Sequence, residues 1–427
     1  MTTLPVSALE GVPVKLRPLS GFEYLFWAIE KINGFNFGIA VTFRGTIAHS
    51  RWRDAFDRVQ KRHPLLDAGI HEDDPCAPYF ARGAGLPIPL QFLRRTSSTV
   101  WQRVMETGIA EPFDLSTGPL LRAAILEDQH GCDLVVTASH VVIDGMGVLV
   151  FIGDLLRVLA GESLDGLPLP PSAEDRAADV RSLNPLPSAL DPAAYAAEPQ
   201  PRDRTYASRN RKGTCAIASI RLSPEQSASL LRYARREQTT VGGVLMAAAG
   251  SALRELSPQL NEADLRITVA LDTRPYLGNP DDFVLSIISP RAIASYPSEE
   301  FAASARALKA QITPAQSFLA IEATFARVSE ILTQKLDAPT VVNLLAQAVG
   351  YDVGISNLRT VEFATLPGDL AVESVWGPSV LAGYENEHFI GSATFGGALH
   401  LVYSSFTPVE GFLEAIQQKI ASACSDA

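Results

Sequence analysis

The chain has 427 residues, of which 47% are hydrophobic and 19% are charged, proportions typical of a folded globular enzyme. Its formal net charge is −11 without an extended Lys/Arg run, which argues against nucleic acid as a partner. The start of the chain lacks the features of a signal peptide and no apolar run is long enough for a membrane span. Four dispersed cysteines without a CxxC motif predict a cytoplasmic protein with no metal site.

The first predicted helix begins with a capping box made by Ser20 and Glu23, a pattern that satisfies two backbone N–H groups at a helix start. Its apolar residues recur at helical spacing and should be core: Phe22, Leu25, Phe26 and Ile29. Phe35–Gly45 alternates like a strand. His63, just before a proline, is expected to contact the carbonyls of the preceding helix rather than to act in catalysis.

A β-hairpin is predicted next, with strands at Leu120–Leu126 and Asp133–Ser139. An apolar helix, from about Val148 to Leu156, should follow after a short loop. The loop begins with His140, which the hairpin would deliver at a strand end. This order of strand, loop and helix is the one that a site at the edge of a cleft requires.

The loop reads His140-Val-Val-Ile-Asp144-Gly145. The imidazole could point into the cleft while Asp144 turns away to hold the loop, and Gly145 would supply backbone freedom. A neutral histidine placed in this way is a general base for an alcohol or an amine. The isolated pattern is also compatible with a structural histidine that bonds a backbone group.

Residues 166–213 are Pro-rich and are expected to connect two parts of the chain, residues 1–165 and residues 214–427; the interpretation of these parts as two lobes depends on the resemblance given below. Cations near its end fit a solvated linker, or contacts with coenzyme A phosphates or an acidic carrier protein: Arg202, Arg204, Arg209, Arg211 and Lys212. The second lobe should alternate strands and helices, with ESVWGP and FGGALHLVYSSF in its sheet.

The loop and several further segments resemble the HxxxDG acyltransferase superfamily, which includes chloramphenicol acetyltransferase, peptide-synthetase condensation domains and polyketide-associated acyltransferases. SHVVIDG is similar to the signature, and matches in the family's order span nearly the whole chain: RPLSGFEYLFWAIEKING, RHPLL, PFDLSTGPLLRAAI, VALDTRPYL and GISNLRTVEF. The resemblance implies an α/β fold of two chloramphenicol-acetyltransferase-like lobes, each a mixed sheet with helices, which face each other across a central tunnel.

The resemblance also implies roles for individual residues. His140 would be the base, near the middle of a tunnel open on opposite faces, and Asp144 would be structural and pair with Arg274. The tunnel wall would include residues 354–363 and 375–394, with polar side chains that could line the tunnel or bind an oxyanion: Ser356, Asn357, Ser392 and Thr394. One departure is Ser139, since condensation domains usually carry a second histidine before the catalytic one, and this difference favours the ester-forming relatives.

The function implied is transfer of an acyl group from a thioester, on coenzyme A or a carrier protein, to an alcohol. No GxSxG, HExxH or dinucleotide-binding motif is present. No permanently bound cofactor is expected, because the thioester is itself the activated substrate. Alternatives are amide formation by a stand-alone condensation enzyme, a non-catalytic member that binds carrier proteins, and a cyclisation or dehydration catalyst on the same scaffold.

Overall fold

The structure is a computed structural model that describes residues 13–74, 76–183, 215–279, 281–364, 370–384 and 386–425. Most of the predicted connection, including its cations between positions 202 and 212, lies outside the described residues. Within the described ranges no helix has the length and apolar character needed to cross a bilayer. The same ranges contain no group of three or more His, Cys, Asp or Glu residues that could hold a metal ion.

The described helices are α1 (Gly21–Asn33), α2 (His49–Arg62), α3 (Val100–Ala110), α4 (Gly145–Leu159), α5 (Ala173–Leu183), α6 (Pro224–Arg236), α7 (Val241–Leu256), α8 (Arg274–Leu277), α9 (Phe301–Ile312), α10 (Phe318–Leu332), α11 (Ala338–Val349) and α12 (Phe412–Ser425). The described strands are β1 (Lys15–Pro18), β2 (Asn36–Arg44), β3 (Ala68–His71), β4 (Tyr79–Arg82), β5 (Leu90–Arg94), β6 (Leu121–Glu127), β7 (Gly131–Ser139), β8 (Ala216–Leu222), β9 (Leu265–Asp272), β10 (Ile287–Ile288), β11 (Arg291–Ala294), β12 (Val353–Thr360), β13 (Ala371–Val380), β14 (His388–Phe395) and β15 (Ala398–Ser405).

The first lobe is built on a five-stranded sheet in the order β13-β2-β7-β6-β5. The predicted hairpin is confirmed, since β6 and β7 pair antiparallel with Leu121 opposite Ala138. One face of the sheet packs on α1 and α2, where Phe43 meets Trp52 edge-on. The other face packs on α3, because Gly38 leaves room for the side chain of Met105. The end of β7, which precedes His140, therefore lies in a sheet that has helices on both faces.

Strand β13 is the main departure from the sequence analysis, which placed ESVWGP in the sheet of the second lobe. In the structure β13 pairs antiparallel with β2, with Val375 opposite Val41 and Val380 opposite Phe37. The strand also packs against the second sheet, where Gly391 of β14 lies so close to Pro378 that a Cβ there would overlap the Pro378 carbonyl oxygen. A segment from the second half of the chain therefore completes the first sheet and ties the two lobes together.

The second lobe contains a seven-stranded mixed sheet in the order β10-β9-β12-β14-β15-β8, with β11 also paired to β9. Strand β12 is parallel to both neighbours, while β15 is antiparallel to β14 on one side and to β8 on the other. One face packs on α6, α7, α9 and α12 through a separate apolar cluster. The predicted α/β fold of two lobes with mixed sheets is confirmed, whereas the expected boundaries at 165 and 213 stay predictions.

Helix α3 joins the two lobes on the side away from α1. Its Gln102 Nε2 donates to Ser219 Oγ at 2.8 Å, and its Glu106 accepts from the backbone N–H of Ile217 at 2.8 Å. Both partners lie on β8, the edge strand of the second sheet. Edge strands expose unpaired backbone groups, and here α3 satisfies one of them while holding the lobes in contact.

Candidate active site

His140 follows the last residue of β7 and is held by its own backbone and by its ring. Its N–H donates to the carbonyl of Phe35 at 2.9 Å, which extends the pairing of β7 with β2 by one residue. Its Nδ1 lies 3.0 Å from the carbonyl oxygen of Ile143. A carbonyl oxygen can only accept a hydrogen bond, so Nδ1 carries the proton of the neutral ring. Nε2 therefore keeps its lone pair and is the basic atom.

The environment of the ring keeps the imidazole uncharged. Burial lowers the pKa of His140 below its usual value, against the opposing effects of the Asp144 carboxylate and the Ile143 carbonyl. A depressed histidine pKa means that the neutral form dominates at pH 7. The ring is therefore ready to accept a proton, which is the state that a general base needs.

Three aromatic side chains surround the imidazole. The ring of Phe26 from α1 stacks on it at 4.9 Å with an interplanar angle of 8°, while Phe35 and Phe37 lie 4.9 and 4.5 Å away. Only 5% of His140 is exposed. This cover explains the depressed pKa, because apolar rings offer no solvation to an imidazolium. Access to His140 through an open tunnel stays a prediction, since the rings nearly close over it in this structure.

Asp144 caps the helix that follows the loop. Its Oδ1 accepts from the backbone N–H of Gly147 at 3.0 Å, which satisfies one of the unpaired donors at the start of α4. Its Oδ2 points the other way and accepts from Arg274 Nη1 at 2.9 Å and from the Ser286 N–H at 2.8 Å. Only 1% of Asp144 is exposed. The carboxylate thus links α4 of the first lobe to two segments of the second.

Arg274 is the partner that the resemblance implied for Asp144, and the structure surrounds its guanidinium with acceptors. Besides Asp144, it donates to Asp272 Oδ1 at 3.1 Å and to the carbonyl oxygens of Asp282 and Val284 at 3.1 and 2.5 Å. Burial alone would lower the pKa of Arg274, but the two carboxylates outweigh this and raise it. Burial conversely raises the pKa of Asp272, against the effect of Arg274. The arginine thus connects Asp144 to the segments that carry Asp272 and Asp282.

Gly145 has a role different from the expected one. The residue is the first of α4 and does not have a positive φ angle, so backbone freedom is not what the position requires. Its lack of a Cβ matters instead, because a Cβ there would lie 3.0 Å from Leu358 Cδ2 and 3.6 Å from Pro378 Cγ. Glycine therefore lets β12 and β13 approach the start of α4 closely, beside the His140 loop.

The four polar residues expected along the tunnel lie on different faces of the second sheet. Side chains alternate along a strand, and Ile390 of β14 belongs to the helix-packed cluster, so Ser392 and Thr394 face the helices, away from β13. Ser392 Oγ donates to the Ser356 carbonyl at 3.1 Å, and Asn357 accepts from the Arg359 N–H at 2.8 Å.

Ser356 is the member of this set that the strand geometry turns toward the first lobe. It shares a face with Leu358, which approaches Gly145, and it lies directly opposite Gly391, which approaches Pro378. Ser356 is 8% exposed. Its hydroxyl is thus the one of the four that remains a candidate to line the passage between the lobes.

Ser139, the residue that departs from the paired-histidine pattern, lies on the opposite side of the sheet from His140. It pairs with Asn36, whose side chain donates to the carbonyls of Ile109 and Glu111 near the end of α3. Directly paired residues share a face, so the Ser139 hydroxyl points toward α3. Ser139 is fully buried, and a histidine there would have to displace this packing.

The His63 ring contacts a buried carboxylate rather than a carbonyl of the preceding helix, so that expectation was wrong for the side chain. Its Nε2 lies 2.8 Å from Asp154 Oδ2 on α4, and its ring packs on Phe283 at 4.8 Å. Arg62 also donates to this carboxylate at 2.7 Å. His63 is 2% exposed, and it joins α2, α4 and the segment before β10, which makes it a structural residue.

The aromatic cover of His140 and the second carboxylate on Arg274 were not predicted from the sequence. Phe35 and Phe37 alternate on a strand, which was predicted, but only the register with β7 shows that they flank the histidine. Asp272 lies two residues before Arg274 in DTR, and this short spacing was a signal that could have suggested an ion pair between them.

A surface cleft between α6, α7 and α12, lined by residues such as Tyr233, contains none of the site residues.

Comparisons with known proteins, in sequence and in structure, identify the family to which the chain belongs. The chain is 24% identical over 135 residues to tyrocidine synthase 2 from Brevibacillus parabrevis, an alignment that covers 30% of this chain and 4% of that protein. The chain thus spans only a small part of the length of such curated relatives. Polyketide synthase associated protein 5 from Mycobacterium tuberculosis superposes with a TM-score of 0.67 at 17% identity, over 97% of this chain and 100% of that one.

The first condensation domain of the calcium-dependent antibiotic synthetase, solved with a substrate analogue, superposes with a TM-score of 0.69 at 15% identity, and the match covers 96% of both chains. At such identities the likeness concerns the fold alone. The family model described as "Condensation domain" matches residues 26–276, which is more than half of the chain and includes the whole His140 loop. This match makes the chain a member of the condensation domain family.

Proposed function

We propose that the protein transfers an acyl group from a thioester, carried by coenzyme A or by a phosphopantetheinyl carrier protein, to an alcohol, with His140 as the general base. The observation that carries the proposal is the contact between His140 Nδ1 and the Ile143 carbonyl at 3.0 Å. It leaves the Nε2 lone pair available, and burial keeps the ring neutral. Base catalysis at a loop between two lobes is the chemistry that this arrangement supports.

In the proposed reaction Nε2 of His140 takes the proton of the acceptor hydroxyl as its oxygen attacks the thioester carbonyl. A C–O bond forms and the carbonyl oxygen becomes an oxyanion, which a hydroxyl such as that of Ser356 could stabilise. The oxyanion then collapses, the C–S bond breaks, and the proton on His140 passes to the departing thiolate. The thioester is already activated, so no covalent intermediate on the enzyme is needed.

Amide formation is the second candidate, and a specific observation favours it. The matched family is that of condensation domains, and the curated relatives carry names such as tyrocidine synthase 2 and malpibaldin synthetase. An amine acceptor would use the same base. Ser139 in place of a second histidine supports the ester. The non-catalytic alternative is disfavoured because His140, Asp144 and Gly145 are all present.

The test is to incubate the purified chain with acyl-coenzyme A donors of increasing chain length and with matched alcohol and amine acceptors. Acceptor-dependent release of free thiol, with mass-spectrometric detection of the product, distinguishes ester from amide. Product formed only with alcohols would support the proposal, and product formed only with amines would replace it with the second candidate. No acceptor-dependent thiol release with any coenzyme A thioester, repeated with acyl groups on a phosphopantetheinylated carrier protein, would contradict both.

A further inference from the structure

Helix α5, in the described part of the predicted connection, packs against the turn that carries Arg274. Ala173 and Ala177 belong to an apolar cluster with Leu271 of β9 and Leu277 of α8. Leu277 is in the same short helix as Arg274. The small alanine side chains allow α5 to lie close to this turn, and both are nearly fully buried.

A charged contact connects α5 to the acceptors around Arg274. Arg176 Nη2 donates to Asp282 Oδ2 at 3.1 Å. The same aspartate uses its backbone carbonyl to accept from Arg274 Nε and Nη2, at 3.2 and 3.1 Å. Asn279 also donates to the Asp282 carboxylate, at 2.7 Å. Arg176 therefore helps to fix the position of Asp282, whose backbone carbonyl binds Arg274. Arg274 in turn binds Asp144.

A second contact connects α5 to the other support of His140. The backbone N–H of Phe22, in the first turn of α1, donates to Glu174 Oε1 at 2.8 Å. A carboxylate at this place also interacts favourably with the dipole at the helix N-terminus. One turn further along, α1 presents Phe26, whose ring stacks on His140. Glu174 thus holds the helix that covers the base.

We propose that α5 is a strap across the site, with Glu174 and Arg176 as positioning residues for His140. One acts through α1 and Phe26, and the other through Arg274 and Asp144, so the two contacts support the loop by separate routes. The inference rests on the proposed function, because it assigns the strap to the base. A displacement of about 1 Å at a reacting group can cost about a hundredfold in rate, so such supports matter for turnover.

The experiment measures the titration of the His140 ring by NMR in full-length protein labelled at histidine, with His140→Gln used to assign the signal. The changes are Glu174→Ala and Arg176→Ala. The matched control is Arg181→Ala, which removes another ion pair of α5, with Glu322 at 2.6 Å, that touches neither support. Glu174→Gln keeps an acceptor oxygen, and Arg176→Lys keeps a donor, so both should behave like the unaltered protein.

The pKa of His140 should rise by about half a unit or more in Glu174→Ala and in Arg176→Ala, because a looser cover admits water to the ring. Asp144 is the charged group that acts on this ring, and its carboxylate raises the pKa of His140. Turnover of the acyl-coenzyme A donor should fall about tenfold with KM within about twofold. Arg181→Ala should change neither quantity.

The same His140 pKa in Glu174→Ala, Arg176→Ala and Arg181→Ala would overturn the proposal that α5 positions His140. Circular dichroism checks folding, and if one alanine variant unfolds, the other tests the proposal alone. The proposed function fails separately, if His140→Ala leaves thiol release unchanged. A shift of the His140 pKa can therefore be observed whether or not His140 proves to be the base.

Discussion

Removal of the Asp144 carboxylate tests the structural support of the site most sharply. Asp144→Ala would leave the Ser286 and Gly147 N–H groups without their acceptors, now 2.8 and 3.0 Å away. It would also remove the nearer of the two carboxylates on Arg274 Nη1, at 2.9 Å. The arginine is 1% exposed, so water cannot readily replace the lost oxygen. Breaking a buried ion pair from one side costs about 3 to 5 kcal/mol of unfolding free energy.

Asp272→Ala is the matched control, because Asp272 is the other carboxylate on the same guanidinium, at 3.1 Å. Its side chain is 18% exposed against 2% for Asp144, and its Oδ1 also accepts from the backbone N–H of Arg274 at 3.2 Å. Arg274 would keep its closer partner in this variant. The cost should therefore be about 1 to 2 kcal/mol, in the range of two partly exposed hydrogen bonds.

Urea unfolding of the two variants, followed by fluorescence and compared with the unaltered protein, gives both free energies. Asp144→Ala should be less stable than Asp272→Ala by about 2 kcal/mol or more and should also lose activity, because the His140 loop is no longer held. Equal costs for the two variants would refute the reasoning. Normal stability with complete loss of activity in Asp144→Ala would indicate a direct chemical role for the carboxylate.

Two further predictions concern the contact between the lobes and the pH dependence of stability. Gly391→Ala should lower the free energy of unfolding in urea by about 3 kcal/mol, because its Cβ would overlap the Pro378 carbonyl oxygen. Gly153→Ala is the control, since Gly153 faces open space on α4, and it should be neutral or stabilising. Equal effects of the two changes would contradict the close approach of β13 and β14. Burial raises the pKa of Glu387 to about 7, so its stability contribution is complete at low pH and is lost as the pH rises through that value. Thermal unfolding should show this decline between about pH 5 and 8, and Glu387→Gln should remove it; an unchanged slope in the variant would assign the decline to another group.

Local sequence patterns were sufficient to predict the helix caps and the hairpin. The capping box of Ser20 and Glu23 is confirmed, and the structure contains a second one, made by Ser223 and Gln226 at the start of α6. The hairpin that delivers His140 is also confirmed. Caps and hairpins depend on residues a few positions apart, so the order of residues alone carries this information.

The strand pairing in the second half of the chain could not be predicted from local sequence patterns. Strand β13 pairs with β2, more than three hundred residues earlier, and no local pattern distinguishes that partner from a neighbour in the second sheet. The faces of Ser392 and Thr394 depend on register, since a shift by one residue exchanges the two faces of a strand. The cover of His140 by Phe26 depends on how α1 packs, which is a tertiary property.

The central claim, that His140 is the general base, is tested most directly by the turnover of His140→Ala with the thioester and acceptor that the unaltered protein uses. His130→Ala is the matched control, because His130 is exposed and lies just before β7, at the opposite end of the strand from His140. Turnover by His140→Ala should fall by about 10² to 10⁴, the range for loss of a positioned base, while His130→Ala should keep full activity. A folded His140→Ala protein that turns over within about threefold of the unaltered one would contradict the account.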